Sequence, residues 1–168
     1  MKTGPRYVVH TRRHRQGRTD YRKRLRLLKS RETRIVVRRS LKQITVQFID
    51  YKVDGDVVVA SALSSELVTK YKWAHSTSST PAAYLTGILA ATKAKKAGIT
   101  EGVLDIGRHP PTAGNRFFAA LKGIDEAGVN CPHSEDKIPS EERLLGKHID
   151  ESIESDVTRI KKELLGGA

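Results

Sequence analysis

Charge in this 168-residue chain is segregated, and the segregation limits what each part can fold into. Residues 1–42 hold 16 Lys and Arg against two acids, Asp20 and Glu32, a net charge of +14. Residues 43–168 hold 15 against 17 acids, a net charge of −2. Like charges repel at any separation shorter than the screening length, about 10 Å in 0.1 M salt. The first quarter is therefore a poor source of core, and the remainder reads as an ordinary domain with mixed surface charge. An apolar fraction of 38 % suffices for one such core. The overall charge of +12 favours nucleic acid or an anionic membrane as partner.

No stretch approaches the roughly 20 apolar residues of a membrane span. The start, MKTGPRYVVHTRR, lacks the apolar centre of a secretory signal, so a cytoplasmic protein without a membrane partner is expected. Cys131 is the single cysteine, which excludes an internal disulfide and a Cys-rich zinc site. His109 and Cys131-Pro132-His133 fall short of the three or four convergent ligands that a metal needs. No cofactor is expected.

The chain divides into a basic arm with a short helix (1–30), an α/β body (31–139) and a polar, acidic tail (140–168). Residues 1–18 lack a hydrophobic period and read as an extended arm. Thr19-Asp20 offers a helix cap, and Tyr21, Leu25 and Leu28 follow at i, i+4, i+7, a thin apolar stripe on which the helix should dock. The pattern then changes to period two. RIVVRRS (34–40), QITVQFID (43–50) and DVVVASAL (56–63) predict a three-stranded antiparallel meander, with Asp54-Gly55 as a hairpin turn. Thr80-Pro81 opens a helix closed by Gly98, with Leu85, Ile88 and Leu89 as its buried stripe. EGVLDIG (101–107) predicts a buried strand, and NRFFAALKGIDEAG (115–128) a second helix. Strand, helix, strand in this order implies a parallel crossover, hence a mixed sheet with packed helices. A last short helix is expected within 155–165.

The arm and first helix are the strongest binding signal. Arg12, Arg13, Arg15, Arg18, Arg22, Lys23, Arg24, Arg26 and Lys29 favour arginine over lysine, and guanidinium forks suit bidentate phosphate contact. Charge runs are often merely solvated, but a defined helical seat argues for RNA binding. Tyr21 could stack on a base, although packing on the sheet is the more ordinary role. Trp73 is expected in the core. An enzymatic reading, a nuclease using Asp50 and Asp105, needs several carboxylates around paired ions, and no such cluster is evident.

RRHRQGRTDYRKRLRLLKS, RIVVRRS, TPAAYLTG and VLDIGRHPPTAGNRFFAALKG, in this order, resemble the archaeal large-subunit ribosomal proteins of universal family eighteen. The eukaryotic member of that family carries 5S ribosomal RNA. The resemblance runs from about Arg6 to Ile149 and leaves the last residues unmatched. It implies a non-catalytic role in the large subunit: binding 5S rRNA and, with 23S rRNA contacts and neighbouring ribosomal proteins, attaching it in the central protuberance. It also implies RNA contact at Arg38, Arg39 and Ser40. The same holds for the loop and helix start containing Thr112, Asn115 and Arg116, where free backbone N–H groups suit phosphate. From the residues alone, a solvated strand end and a plain connecting loop serve nearly as well.

Overall fold

The structure is a computed structural model that describes residues 4–166. The first three residues of the arm, Lys2 among them, and the last two of the tail lie outside the described residues. The elements are α1 (Arg12–Arg15), α2 (Tyr21–Leu28), β1 (Arg34–Arg39), β2 (Ile44–Lys52), β3 (Gly55–Leu63), α3 (Ser65–Tyr71), α4 (Thr80–Lys96), β4 (Val103–Asp105), α5 (Arg116–Glu126), α6 (Glu141–Leu145) and α7 (Glu151–Gly166). The α/β architecture expected from the pattern is present.

One mixed sheet runs in the order β3-β2-β1-β4. β1, β2 and β3 form the antiparallel meander, and β4 lies parallel to β1. The crossover back to β1 thus passes through the hairpin, α3 and α4. Alternation assigns the two faces. Ile35, Val37, Ile44, Val46 and Phe48 point into the core, whereas Arg34, Val36, Arg38 and Gln47 line a cavity on the other side, beneath α2. β4 is shorter than EGVLDIG suggested, because the chain turns at Asp105, whose carboxylate accepts the Gly107 N–H at 2.7 Å.

α4 occupies the centre of the core. Its first twelve residues, Thr80–Ala91, are all buried, not only the Leu85, Ile88 and Leu89 stripe. A helix apolar all round must be covered on every side, and α4 packs against β2, β3, α5, α6 and α7. Its cap is Ser79, one residue earlier than expected, accepting from the Ala82 N–H at 3.3 Å. Two glycines set its closest crossing: a Cβ on Gly87 would lie 2.1 Å from the Ala120 carbonyl oxygen, and one on Gly123 would lie 2.2 Å from that of Tyr84. Helix interiors disfavour glycine by about 1 kcal/mol, and here that propensity is exchanged for backbone contact between α4 and α5.

Two helices depart from the sequence reading. α3 has no counterpart among the expected elements; Leu67 anchors it and Glu66 accepts from Lys93 and Lys70, both at 2.8 Å. α7 starts at Glu151, earlier than the helix expected within 155–165, after Asp150 accepts the Ser152 N–H at 2.9 Å. Ile153, Val157, Ile160 and Leu164 form an i, i+4, i+7, i+11 stripe buried in the core. Acidic residues around that stripe mask it in composition. Trp73 is buried as expected, its indole N–H donating to the Ser76 carbonyl at 3.3 Å.

Candidate nucleic-acid interface

α1 and α2 lie across the sheet face that α4 does not cover. Asp20 caps α2 by accepting from the Arg22 and Lys23 N–H groups at 3.0 and 3.1 Å. Those bonds, Lys23 foremost, hold its carboxyl below the usual range even against desolvation. The seat beneath α2 is not the predicted one. Tyr21 and Leu25 are 40 % and 59 % exposed; of the predicted stripe Leu28 alone is half-buried, and Leu27 joins it. The inward face has rotated because polar contacts hold the helix. Lys23 Nζ donates to the Gly107 carbonyl at 2.8 Å, and Arg24 Nη2 donates to both oxygens of Asp56 at 2.8 and 2.9 Å. Tyr21 therefore does not pack on the sheet; its ring lies 6.3 Å from that of His14.

The Arg24–Asp56 pair begins a ladder of alternating charge beneath the helix. Arg34 Nη2 lies 2.8 Å from Asp56 Oδ2, and Arg34 Nη1 lies 3.6 Å from Asp105. Arg38 closes the ladder on Asp105 at 3.2 Å and also donates to the Asp105 carbonyl at 2.6 Å. Burial opposes ionisation of Asp56, but Arg34 and Arg24 more than offset it and keep its carboxyl below the usual range. Arg34 itself is 2 % exposed, and removing both carboxylates would leave a buried charge unpaired, typically costing about 3–5 kcal/mol. Arg34, Asp56 and Asp105 escaped the sequence reading as a unit. The signal was present: Arg34 and Arg38 fall at period two with Val36 in β1, on the face opposite Ile35 and Val37.

The nine cations of the arm and first helix thus separate into two groups. Lys23 and Arg24 are committed to the fold, and Arg13 donates through Nε to the Thr19 hydroxyl at 2.9 Å. Arg12, Arg15, Arg18, Arg22, Arg26 and Lys29 are exposed and have no ion pair among the described residues. Arg39 at the end of β1 is likewise exposed and unpaired among the described residues, while Arg38 is half-committed to Asp105. The hydroxyl of Ser40 accepts the Gln43 N–H at 2.9 Å and so shapes the β1–β2 turn. One exposed cation missed by the sequence reading joins this surface: Arg108, which donates to the Gly17 carbonyl and stands beside the half-buried His109. Burial, then the charges of Arg39, Arg38 and Lys23, hold the His109 imidazole below its usual pKa. A polyanion would relieve that repulsion.

A second basic spot lies at the start of α5. Asn115 is its cap position but makes no side-chain cap bond. Thr112 is exposed, and Arg116 donates to the Ser78 carbonyl at 2.6 Å. Asn115 and Arg116, with Arg143 and His148, line a cavity of about 350 Å³ where α4 and α5 begin. No catalytic or metal centre accompanies either spot among the described residues. Asp50 accepts from Thr33 at 2.6 Å and takes no part in the Asp105 ladder, and no three His, Cys, Asp or Glu side chains cluster around a metal-sized site among the described residues. Cys131 is buried, which pushes its thiol up to about 11, and His133 turns its Nδ1 to the Cys131 carbonyl at 2.7 Å. Among the described residues no helix is long and apolar enough to cross a membrane.

Comparison with known proteins places this architecture. The family described as ribosomal large subunit proteins 60S L5 and 50S L18 matches residues 5–102. The chain is 56 % identical to the large ribosomal subunit protein uL18 of Korarchaeum cryptofilum over 149 residues, covering 89 % of this chain and 76 % of that protein. It is 49 % identical to uL18 of Methanococcoides burtonii over 92 % of this chain and 88 % of that one. With uL18 of Methanoregula boonei the identity is 46 % over 98 % of this chain and 100 % of the relative. The last match takes in α7, which the motifs had left unassigned. A family match over residues 5–102 and identities of this size along nearly the whole chain give one conclusion: the chain belongs to the L5/L18 family of ribosomal large-subunit proteins, structural constituents of the ribosome rather than enzymes.

Proposed function

We propose that this protein binds 5S rRNA and, through further contacts with 23S rRNA and neighbouring proteins, holds it in the central protuberance of the large subunit. The observation that carries the reading is the separation of cations into clamped and free sets. Lys23 and Arg24 fix α2 over the sheet and Arg38 is paired with Asp105, which leaves Arg12, Arg15, Arg18, Arg22, Arg26, Lys29 and Arg39 exposed without counter-charges among the described residues. Phosphates supply the missing charge, and Arg forks meet them with two N–H groups each. Thr112, Asn115 and Arg116 form a second, smaller contact, to which the uncapped N–H groups of α5 contribute.

Competition binding tests the reading. Eight to ten phosphate contacts predict a slope of log K against log salt on the order of −6 to −9. Preference for 5S rRNA over tRNA and duplex DNA should survive as salt weakens all three. A shallow slope, or equal affinity for the three nucleic acids, contradicts it.

A further inference from the structure

Beneath α2 the clamp does not close on solid packing. It encloses a cavity of about 560 Å³, open at one side, between the helix and the outer face of the sheet. Ligand-binding cavities fall in the same range, roughly 300–1,000 Å³. Arg34 lines it, and neither Nε nor Nη2 of this almost fully buried guanidinium has a hydrogen-bond partner among the described residues, Nη2 meeting Asp56 only as an ion pair at 2.8 Å. Buried donors are nearly always satisfied, so an unmatched one marks a place where an acceptor belongs. Gln47, on the neighbouring strand, also lines the space and offers a carboxamide with both donor and acceptor. Val36, Ile49 and Leu27 supply apolar walls.

We infer that this cavity receives one unstacked base of the bound RNA, with an acceptor on the base edge taking the Arg34 Nε–H and the Gln47 carboxamide reading a second group. The inference rests on the reading that the chain binds 5S rRNA. A base fits the lining where a phosphate does not. The carboxylates of Asp56 and Asp105 stand 2.8 and 3.6 Å from the two Nη groups of Arg34, and they would repel an anion brought against it. A neutral base carries acceptors without charge, and its faces suit apolar side chains. The phosphates flanking that nucleotide would remain at the rim, where Arg13, Arg18 and Arg108 stand.

The test uses the full chain, intact 5S rRNA and two substitutions that remove no charge. Val36→Phe projects a ring into the cavity and obstructs it, and Gln47→Leu keeps its volume but deletes the polar group. Each should weaken binding about tenfold, the worth of one well-placed hydrogen bond or its steric exclusion, without changing the slope of log K against log salt. Base-specific chemical probing should find one unpaired base protected by the wild-type protein and reactive again with either variant, while backbone cleavage shows the same footprint. Should Val36→Phe fail to keep the native melting temperature, the half-exposed Gln47→Leu decides alone. Wild-type affinity and the same base protection in a folded Gln47→Leu protein would overturn the inference. Failure of the wild-type chain to bind 5S rRNA selectively would overturn it together with the reading on which it rests.

Discussion

His109 reports on the interface at the scale of a single residue. In the free protein its imidazole is kept toward the neutral form by partial burial, against Phe117 at a ring separation of 4.8 Å, and by Arg39, Arg38 and Lys23. Phosphates arriving on those cations favour the charged imidazolium, so the pKa rises on binding. By linkage the complex takes up a proton, and affinity increases as pH falls through the window between the free and the bound pKa. Histidine ring resonances followed by NMR against pH, with and without 5S rRNA, should show an upward shift. An unchanged or lowered value would place the RNA elsewhere. Arg116 offers a contrast, because its bond to the Ser78 carbonyl gives it a structural duty as well. Its residue type and its place at a helix start were legible in the sequence, whereas a partner 38 positions away was not. The same limit applies to Arg34, whose carboxylate partners come from β3 and β4.

At the scale of elements, the strands and the long helices were readable because burial imposes period two or 3.6 on them. The meander arises from such a pattern, whereas α4, buried all round, was legible from its Thr80-Pro81 start and Gly98 stop. The seat of α2 was not readable. An i, i+4, i+7 stripe of Tyr21, Leu25 and Leu28 predicts an apolar contact, but the surface beneath offers Asp56 and a carbonyl, and charge pairing turned the helix toward them. The contact between α4 and α5 was equally hidden, since Gly87 and Gly123 look like weak points until the partner backbone is seen. Gly87→Ala is therefore expected to destabilise the protein even though alanine favours helix. The gain of about 1 kcal/mol in propensity is outweighed by overpacking that costs typically about 1–3 kcal/mol, and a backbone carbonyl yields less readily than a side chain. A lowered midpoint in denaturant melts checks this, and an unchanged or higher one would mean that the helices separate at little cost.

Across the whole molecule, the buried core and the excess positive charge lie in different parts of the chain. Among the described residues every buried apolar residue of the core lies at or beyond Ile35, while the net charge of +14 lies within residues 1–42. The ladder from Arg24 to Arg38 joins the two parts, using three cations to orient those that remain free. Deleting residues 1–18 tests this division most directly. It removes Lys2, Arg6, Arg12, Arg13, Arg15 and Arg18, and none of residues 4–18 is buried. Binding to 5S rRNA should weaken by orders of magnitude, and the slope of log K against log salt should become shallower by about 4–5, near 0.7–0.9 for each phosphate that the arm no longer neutralises. The melting temperature of the free protein should stay within about 2 °C of the intact chain, as for surface changes of no more than about 0.5 kcal/mol. A truncated protein that melts well below the intact one, or that binds 5S rRNA with the same affinity and slope, would contradict the account.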